Sequence, residues 1–213
     1  MGAEPDRATI WYFIRGRNRA QVDDLRRRLL LCARGAATAT ETRVGMSVRT
    51  AITERMPNAP LAELLDVVLH HVGPPAFTPA DARAAAKAGP GRKYNTGIEP
   101  IRTAAGRASS DEDNVSWFAP LTTLMMACVP KGTVGHHREY AAAVRLGGAR
   151  RGMLQAARVL AQMAVELALN APARRQAAAE FARQLKGSTY RLSLSTKVLR
   201  PMYPGRAPME AAR

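Results

Sequence analysis

The chain has 213 residues, 46% of them hydrophobic, so it can bury a core and is not expected to be disordered. Its 32 Lys and Arg against 17 Asp and Glu give a formal charge of +15, a balance that suits a polyanion partner. The arginines, however, are scattered through amphipathic stretches, as at Arg26, Arg27 and Arg28 or Arg174 and Arg175, with few aromatics interleaved. A solvated basic surface is therefore expected rather than a nucleic-acid interface. Cys32 and Cys128 lie far apart in apolar runs and form no CxxC, the usage of small buried hydrophobes in a reducing cytoplasm. With no signal-peptide layout at the start and no apolar run of membrane-spanning length, a soluble cytoplasmic protein is expected.

Ala8 to Arg15 (ATIWYFIR) is β-branched and aromatic, which predicts a buried strand. Asn18 is placed to cap a helix over Arg19 to Arg34, with Val22, Leu25, Leu29 and Leu30 on its apolar face and Gly35 as its end. Thr38 to Thr53 alternates loosely and predicts a second strand, so the fold class expected is α/β, with an α+β sandwich at the start. Met56 to Pro60 reads as a turn and Leu61 to His71 as a helix, with His70 and His71 at its C-terminal end, where cations suit the helix dipole. Gly73-Pro74-Pro75 breaks the chain, and Thr78-Pro79-Ala80-Asp81 opens a capped helix to about Ala88.

Gly89 to Ala108 has no period and predicts a long loop. Val115 to Val129 predicts strand, turn, strand. A helix is expected over Arg151 to Asn170, with Met153, Ala157, Leu160, Ala164, Leu167 and Ala168 facing the core, and another over Pro172 to Leu185. The tail from Ser188 has one β-like segment before Pro201, Pro204 and Pro208. No internal repeat is visible.

The stretch from Ala108 to His137 concentrates the chemistry: acidic Asp111, Glu112 and Asp113, an apolar run with Trp117, and a Gly-rich turn ending in His136 and His137. A hydrolytic metal site needs carboxylates and imidazoles converging on the ion and a base beside the bound water. Asp111 and His136 are candidates for such ligands, though too few for a site, and by spacing alone an acidic loop and a surface histidine pair are the better reading. Phosphate-binding, nucleophile-elbow, HExxH and dinucleotide motifs are absent from the sequence. Ser109-Ser110-Asp111 reads as backbone capping rather than an activated nucleophile.

SSDEDNVSWFAP, then CVPKGTVGHHREY, then RRGMLQAARVLA, resembles the C-terminal part of the catalytic domain in the aminoacylase/carboxypeptidase amidohydrolases, p-aminobenzoyl-glutamate hydrolase branch. ATIWYFIRGRNRAQVDDL and MPNAPLAELL resemble that branch's lid, or dimerisation, domain and its return to the catalytic domain. The resemblance implies a partial lid over residues 1–60, a catalytic portion over 61–213, and a homodimer formed through the lid. It further implies a pair of zinc or manganese ions and hydrolysis of N-acyl or p-aminobenzoyl amino acids by a metal-activated water. His136 matches the family's last metal-ligand histidine, with His137 the adjacent alternative. Asp111 matches an acidic residue near the metal, and Asn58, in the turn beside the lid, is a candidate substrate contact. Asn114 stands where relatives often have Asp, and Val134 replaces a frequent Pro. The chain has no Glu-Glu pair to supply the base and no histidine before His70, so it is expected not to hydrolyse anything alone. The alternative from another class is a non-catalytic interaction module whose strand Ala8 to Arg15 pairs across a dimer interface.

Overall fold

The computed structural model describes residues 7–101 and 109–190, and all seven regular elements among them are helices. They are α1 (Arg19–Ala39), α2 (Ala59–Val72), α3 (Pro79–Lys87), α4 (Glu112–Val115), α5 (Arg138–Ala143), α6 (Gly147–Leu169) and α7 (Ala171–Leu185). No strand forms among the described residues, so the expectation of an α/β fold is overturned. The segments expected as strands at Ala8 to Arg15, Thr38 to Thr53 and Val115 to Val129 form no β-ladder. The cause lies in the nature of a strand, which exists only where a neighbouring chain completes its hydrogen-bond ladder. The β-like segment expected after Ser188 lies almost wholly outside the described residues.

The helices start where their caps dictate. Asn18 accepts from the Gln21 amide at 3.0 Å, and Asn170 closes α6 while accepting from the Ala173 amide at 3.0 Å to open α7. Thr78 and Asp81 form a reciprocal capping box on α3, with Pro79 in its first turn. Helix α1 runs through Gly35 to Ala39, because Ala36, Ala37 and Ala39 favour the helix strongly enough to offset one glycine. Thr38, expected to open a strand, is inside it.

Two compact units are present. The first holds residues 7–54, 109–114 and Tyr190, the second 55–101 and 115–189. In the first, α1 carries a chain of ion pairs: Asp23 takes Arg19 at 2.7 Å and Arg26 at 3.4 Å, and Asp24 takes Arg27 at 2.6 Å. The Arg19 guanidinium hydrogen-bonded to Asp23 holds that carboxyl below its usual range.

In the second unit α2, α6 and α7 pack on one another. Leu65 and Val68 of α2 meet Val159 and Met163 of α6, with Leu124 and Met126 of the preceding segment laid against them. The buried Gln155 of α6 donates to the Val72 and Gly73 carbonyls at 3.0 and 2.8 Å, satisfying the C-terminal end of α2. The face of α6 turned inward is Gly148, Ala149, Gly152, Gln155, Val159 and Met163. Of the face expected in the core, only Leu167 packs against it; Met153 and Leu160 are 59% and 56% exposed, and Ala157, Ala164 and Ala168 are exposed as well. Both sides of α6 are apolar, and the glycines decide which side seats. A Cβ on Gly152 would stand 2.4 Å from the Ala127 carbonyl oxygen, and one on Gly148 2.3 Å from the Tyr94 ring.

Candidate functional site

The turn from Pro130 to His137 leads into α5. Pro130 is fully buried, and Thr133 donates from its amide and hydroxyl to the Pro130 carbonyl at 3.2 and 2.7 Å. The Lys131 amide donates to the Lys93 carbonyl at 2.9 Å, and Arg92 reaches Glu139 at 2.9 Å, so the 89–101 loop braces both ends of the turn. That Arg92 hydrogen bond and charge hold the Glu139 carboxyl below its usual range. Gly132 has φ 82 and His136 φ 57. Left-handed backbone at a residue with a Cβ is strained, and such positions gather at functional sites. His136 is exposed and its imidazole makes no hydrogen bond among the described residues. His137 is employed differently: its Nδ1 accepts from the Glu139 amide at 3.3 Å and caps α5.

Asp111 lies just before α4, exposed, with one carboxylate oxygen taking the Ser110 hydroxyl at 3.3 Å. It belongs to the first unit and His136 to the second. Asp113 is buried and accepts from the Ser110 amide at 3.1 Å, while the Ser110 hydroxyl accepts from the Glu112 amide at 3.4 Å, so Ser110 of the Ser-Ser-Asp stretch does cap backbone. Asn114 accepts from the Thr53 amide at 2.9 Å and donates to the Ala51 carbonyl at 3.3 Å. An aspartate there could accept but not donate, which gives the amide a structural reason.

Asn58 is 4% exposed and caps α2. Its carbonyl accepts from the Leu61 amide at 3.2 Å and its amide donates to the Ala177 carbonyl of α7 at 2.9 Å, so both ends of the side chain are engaged within the fold. His70 sits in the last turn of α2, with Nδ1 2.9 Å from the Asp66 carbonyl and 3.4 Å from its carboxylate.

Sequence reasoning passed over the cluster at the start of α6. Asp81 accepts from the Thr78 amide and hydroxyl at 2.8 and 2.6 Å and from Arg151 at 2.7 Å. The two Thr78 bonds come first in holding its carboxyl low, with Arg151 adding to them. Tyr94 stacks on Phe77 at 4.2 Å, and its buried hydroxyl has no partner among the described residues. Burial pushes that phenol up. The Gly147-Gly148 pair was the available signal, since adjacent glycines opening a helix mark a close approach. Beside the helices lies an apolar cavity of about 300 Å³ walled by Leu61, Leu65, Leu124, Leu160, Met163 and Leu167.

Among the described residues no group of three or more His, Cys, Asp and Glu side chains could hold a metal ion. The donor set present does not fit a two-ion centre, for which His136 offers one uncommitted imidazole. No helix among the described residues is long and apolar enough to cross a membrane. Compared with known proteins, the chain matches no family model, no curated protein and no solved structure.

Proposed function

We propose that this chain is part of a cytoplasmic, metal-dependent amidohydrolase acting on the amide bond of N-acyl or p-aminobenzoyl amino acids. It contributes one wall of the site and is inactive by itself. The observation that carries the reading is the turn at His136. An exposed imidazole on strained backbone, in a turn braced by Arg92, Lys93 and Pro130, is built to present that side chain. The order of the sequence blocks that resemble the amidohydrolases supports it. Because the described donors do not fit a two-ion centre, no hydrolytic step is assigned to this chain.

The test begins with the DNA immediately upstream of Met1. An in-frame extension encoding a His-x-Asp block and a Glu-Glu pair, expressed with this chain, should hydrolyse p-aminobenzoyl-glutamate in the presence of zinc or manganese. That turnover should be lost to chelator and to His136→Ala, while the chain alone shows none. Chelator-sensitive turnover by the chain alone, or an extended enzyme indifferent to His136→Ala, would sink the reading.

A second reading, a non-catalytic dimerisation module, rests on Ile10, Trp11, Tyr12 and Phe13, which are 73%, 72%, 63% and 86% exposed. Four consecutive large apolar side chains of high strand propensity are a pairing hazard unless covered, and a second copy of the same segment would cover them. A sedimentation measurement separates the readings: a dimer abolished by Trp11→Lys, in a chain without bound metal, favours this one.

A further inference from the structure

Helix α6 runs for 23 residues from Gly147, and its N-terminal end has no side-chain cap. Of its first three residues only Ala149 finds a backbone acceptor, the Leu146 carbonyl at 3.1 Å. The Gly147 and Gly148 amides make no hydrogen bond among the described residues. A long helix thus turns two free donors and the positive end of its dipole toward one spot. Two further groups stand there unused. The hydroxyl of Tyr94, a residue 6% exposed, has no partner among the described residues, and its end of the ring lies against Gly148, where an added Cβ would fall 2.5 Å from the hydroxyl oxygen. Burial first and the Asp81 charge second push this phenol up, so at neutral pH it keeps its proton and can donate. Asp81 gives one carboxylate oxygen to Thr78 and Arg151 and leaves the other without a bond, 2.8 Å from the place of a Cβ on Gly147. Buried polar groups are nearly always satisfied, so open ones gathered at a helix end point to an occupant.

The charges at this spot are mixed, and that selects the occupant. A simple anion would suit the two amides and the helix end but meet the free Asp81 oxygen, whereas a simple cation would suit that oxygen and meet the amides. A molecule carrying both charges on one carbon satisfies both. We infer that the N-terminal end of α6, with Tyr94 and Asp81, is a site for a small free α-amino acid. The ligand carboxylate takes the Gly147 and Gly148 amides and the Tyr94 hydroxyl, and its ammonium donates to the open oxygen of Asp81. Neither glycine has room for a methyl group, so the ligand must be small, and its own side chain leaves past Gly147, the exposed residue of the four. The ring edge on Gly148 closes the hydroxyl from solvent, so binding lifts it, and a bulkier ligand would have to lift it further. The inference stands apart from the amidohydrolase reading, which rests on the His136 turn and uses none of these residues.

The probe is glycine, titrated into the isotope-labelled full chain and read by nuclear magnetic resonance from the Gly147 and Gly148 amide signals. Acetate, methylammonium and acetamide accompany it, offering the carboxylate alone, the ammonium alone and a neutral amide. Glycine should move both signals saturably, and each companion should bind about tenfold more weakly or worse, since each lacks a charge-assisted hydrogen bond. Tyr94→Phe keeps the ring and removes only the hydroxyl, so glycine should bind it about fivefold more weakly. Its urea midpoint should be unchanged or raised, because the hydroxyl it loses has no partner among the described residues. Weaker binding without lost stability is a result that a merely structural hydroxyl would not give. Failure of glycine to move the two signals saturably overturns the inference. So does a companion that binds as tightly as glycine, or a Tyr94→Phe chain that binds glycine like the unaltered one. Should Tyr94→Phe unfold the chain, the four small molecules against the unaltered chain decide alone.

Discussion

Replacing Gly152 by alanine sets two effects of known sign against each other. In an open helix interior the change removes backbone entropy from the unfolded chain and stabilises by about 1 kcal/mol. At Gly152 the new Cβ would lie 2.4 Å from the Ala127 oxygen, 3.1 Å from its carbonyl carbon and 2.8 Å from the Cys128 sulfur. Two of these three atoms are backbone and cannot swing aside. Either Ala127 moves by most of an ångström or α6 lifts from Leu65 and Val68. Overpacking of that kind costs about 1–3 kcal/mol, and a backbone clash belongs near the top of that range, so the net expectation is a loss of about 2 kcal/mol. Gly35→Ala in α1 is the control, because a Cβ there meets nothing within 4 Å and should stabilise by up to about 1 kcal/mol. Urea unfolding followed by circular dichroism reads both variants, the midpoint moving in opposite directions at an unchanged slope. A Gly152→Ala chain as stabilised as Gly35→Ala would show that α6 is not seated against the 124–128 segment.

The same unfolding assay checks the faces of α6. Val159→Ala, at a fully buried position, should cost about 2 kcal/mol, and Leu160→Ala, one residue on but exposed, less than about 0.5 kcal/mol. Asn58→Ala removes the cap of α2 and its buried hydrogen bond to the Ala177 carbonyl, together worth about 2 kcal/mol, visible as a lower urea midpoint. Asp81 is held below its ordinary value of 3.8, so its carboxylate favours the folded state above that pH and the contribution disappears as pH falls through the lower, folded-state value. Asp81→Asn should therefore unfold more readily than the unaltered chain at pH 6, with the difference shrinking in strong acid.

Helix starts were legible because they are local chemistry: the Thr78 to Asp81 capping box and Asn18 each satisfy amides within three residues. The face of α6 was not, because Met153, Ala157, Leu160 and Ala164 repeat with the same helical spacing as Val159 and Met163. Periodicity cannot rank two apolar stripes on one helix. Small residues decided it, and Gly148 and Gly152 score as weak points in a helix until something is known to approach them. The strand expectations failed for a related reason. The composition of Ala8 to Arg15 records a preference for extended backbone, whereas the ladder partner that makes a strand lies elsewhere in sequence and leaves no local mark. At the candidate site the employment of the conspicuous residues was hidden from the sequence. Asn58 sits two residues before Pro60 at the head of a helical period, which is a capping signature, and its second bond reaches a residue 119 positions away that no local pattern reveals.

That reach has a consequence for how the chain is made. Asn58 depends on Ala177, and the Pro57 carbonyl takes the Gln184 amide from 127 residues further on. A ribosome releases the chain from its N-terminal end, so α2 emerges long before either of the groups that finish its entry, and its apolar face must wait for α6 and α7. Contacts so distant in sequence close slowly and leave hydrophobic surface open meanwhile. A nascent chain stopped after α6 should therefore be a stronger client for a chaperone than one that has completed α7.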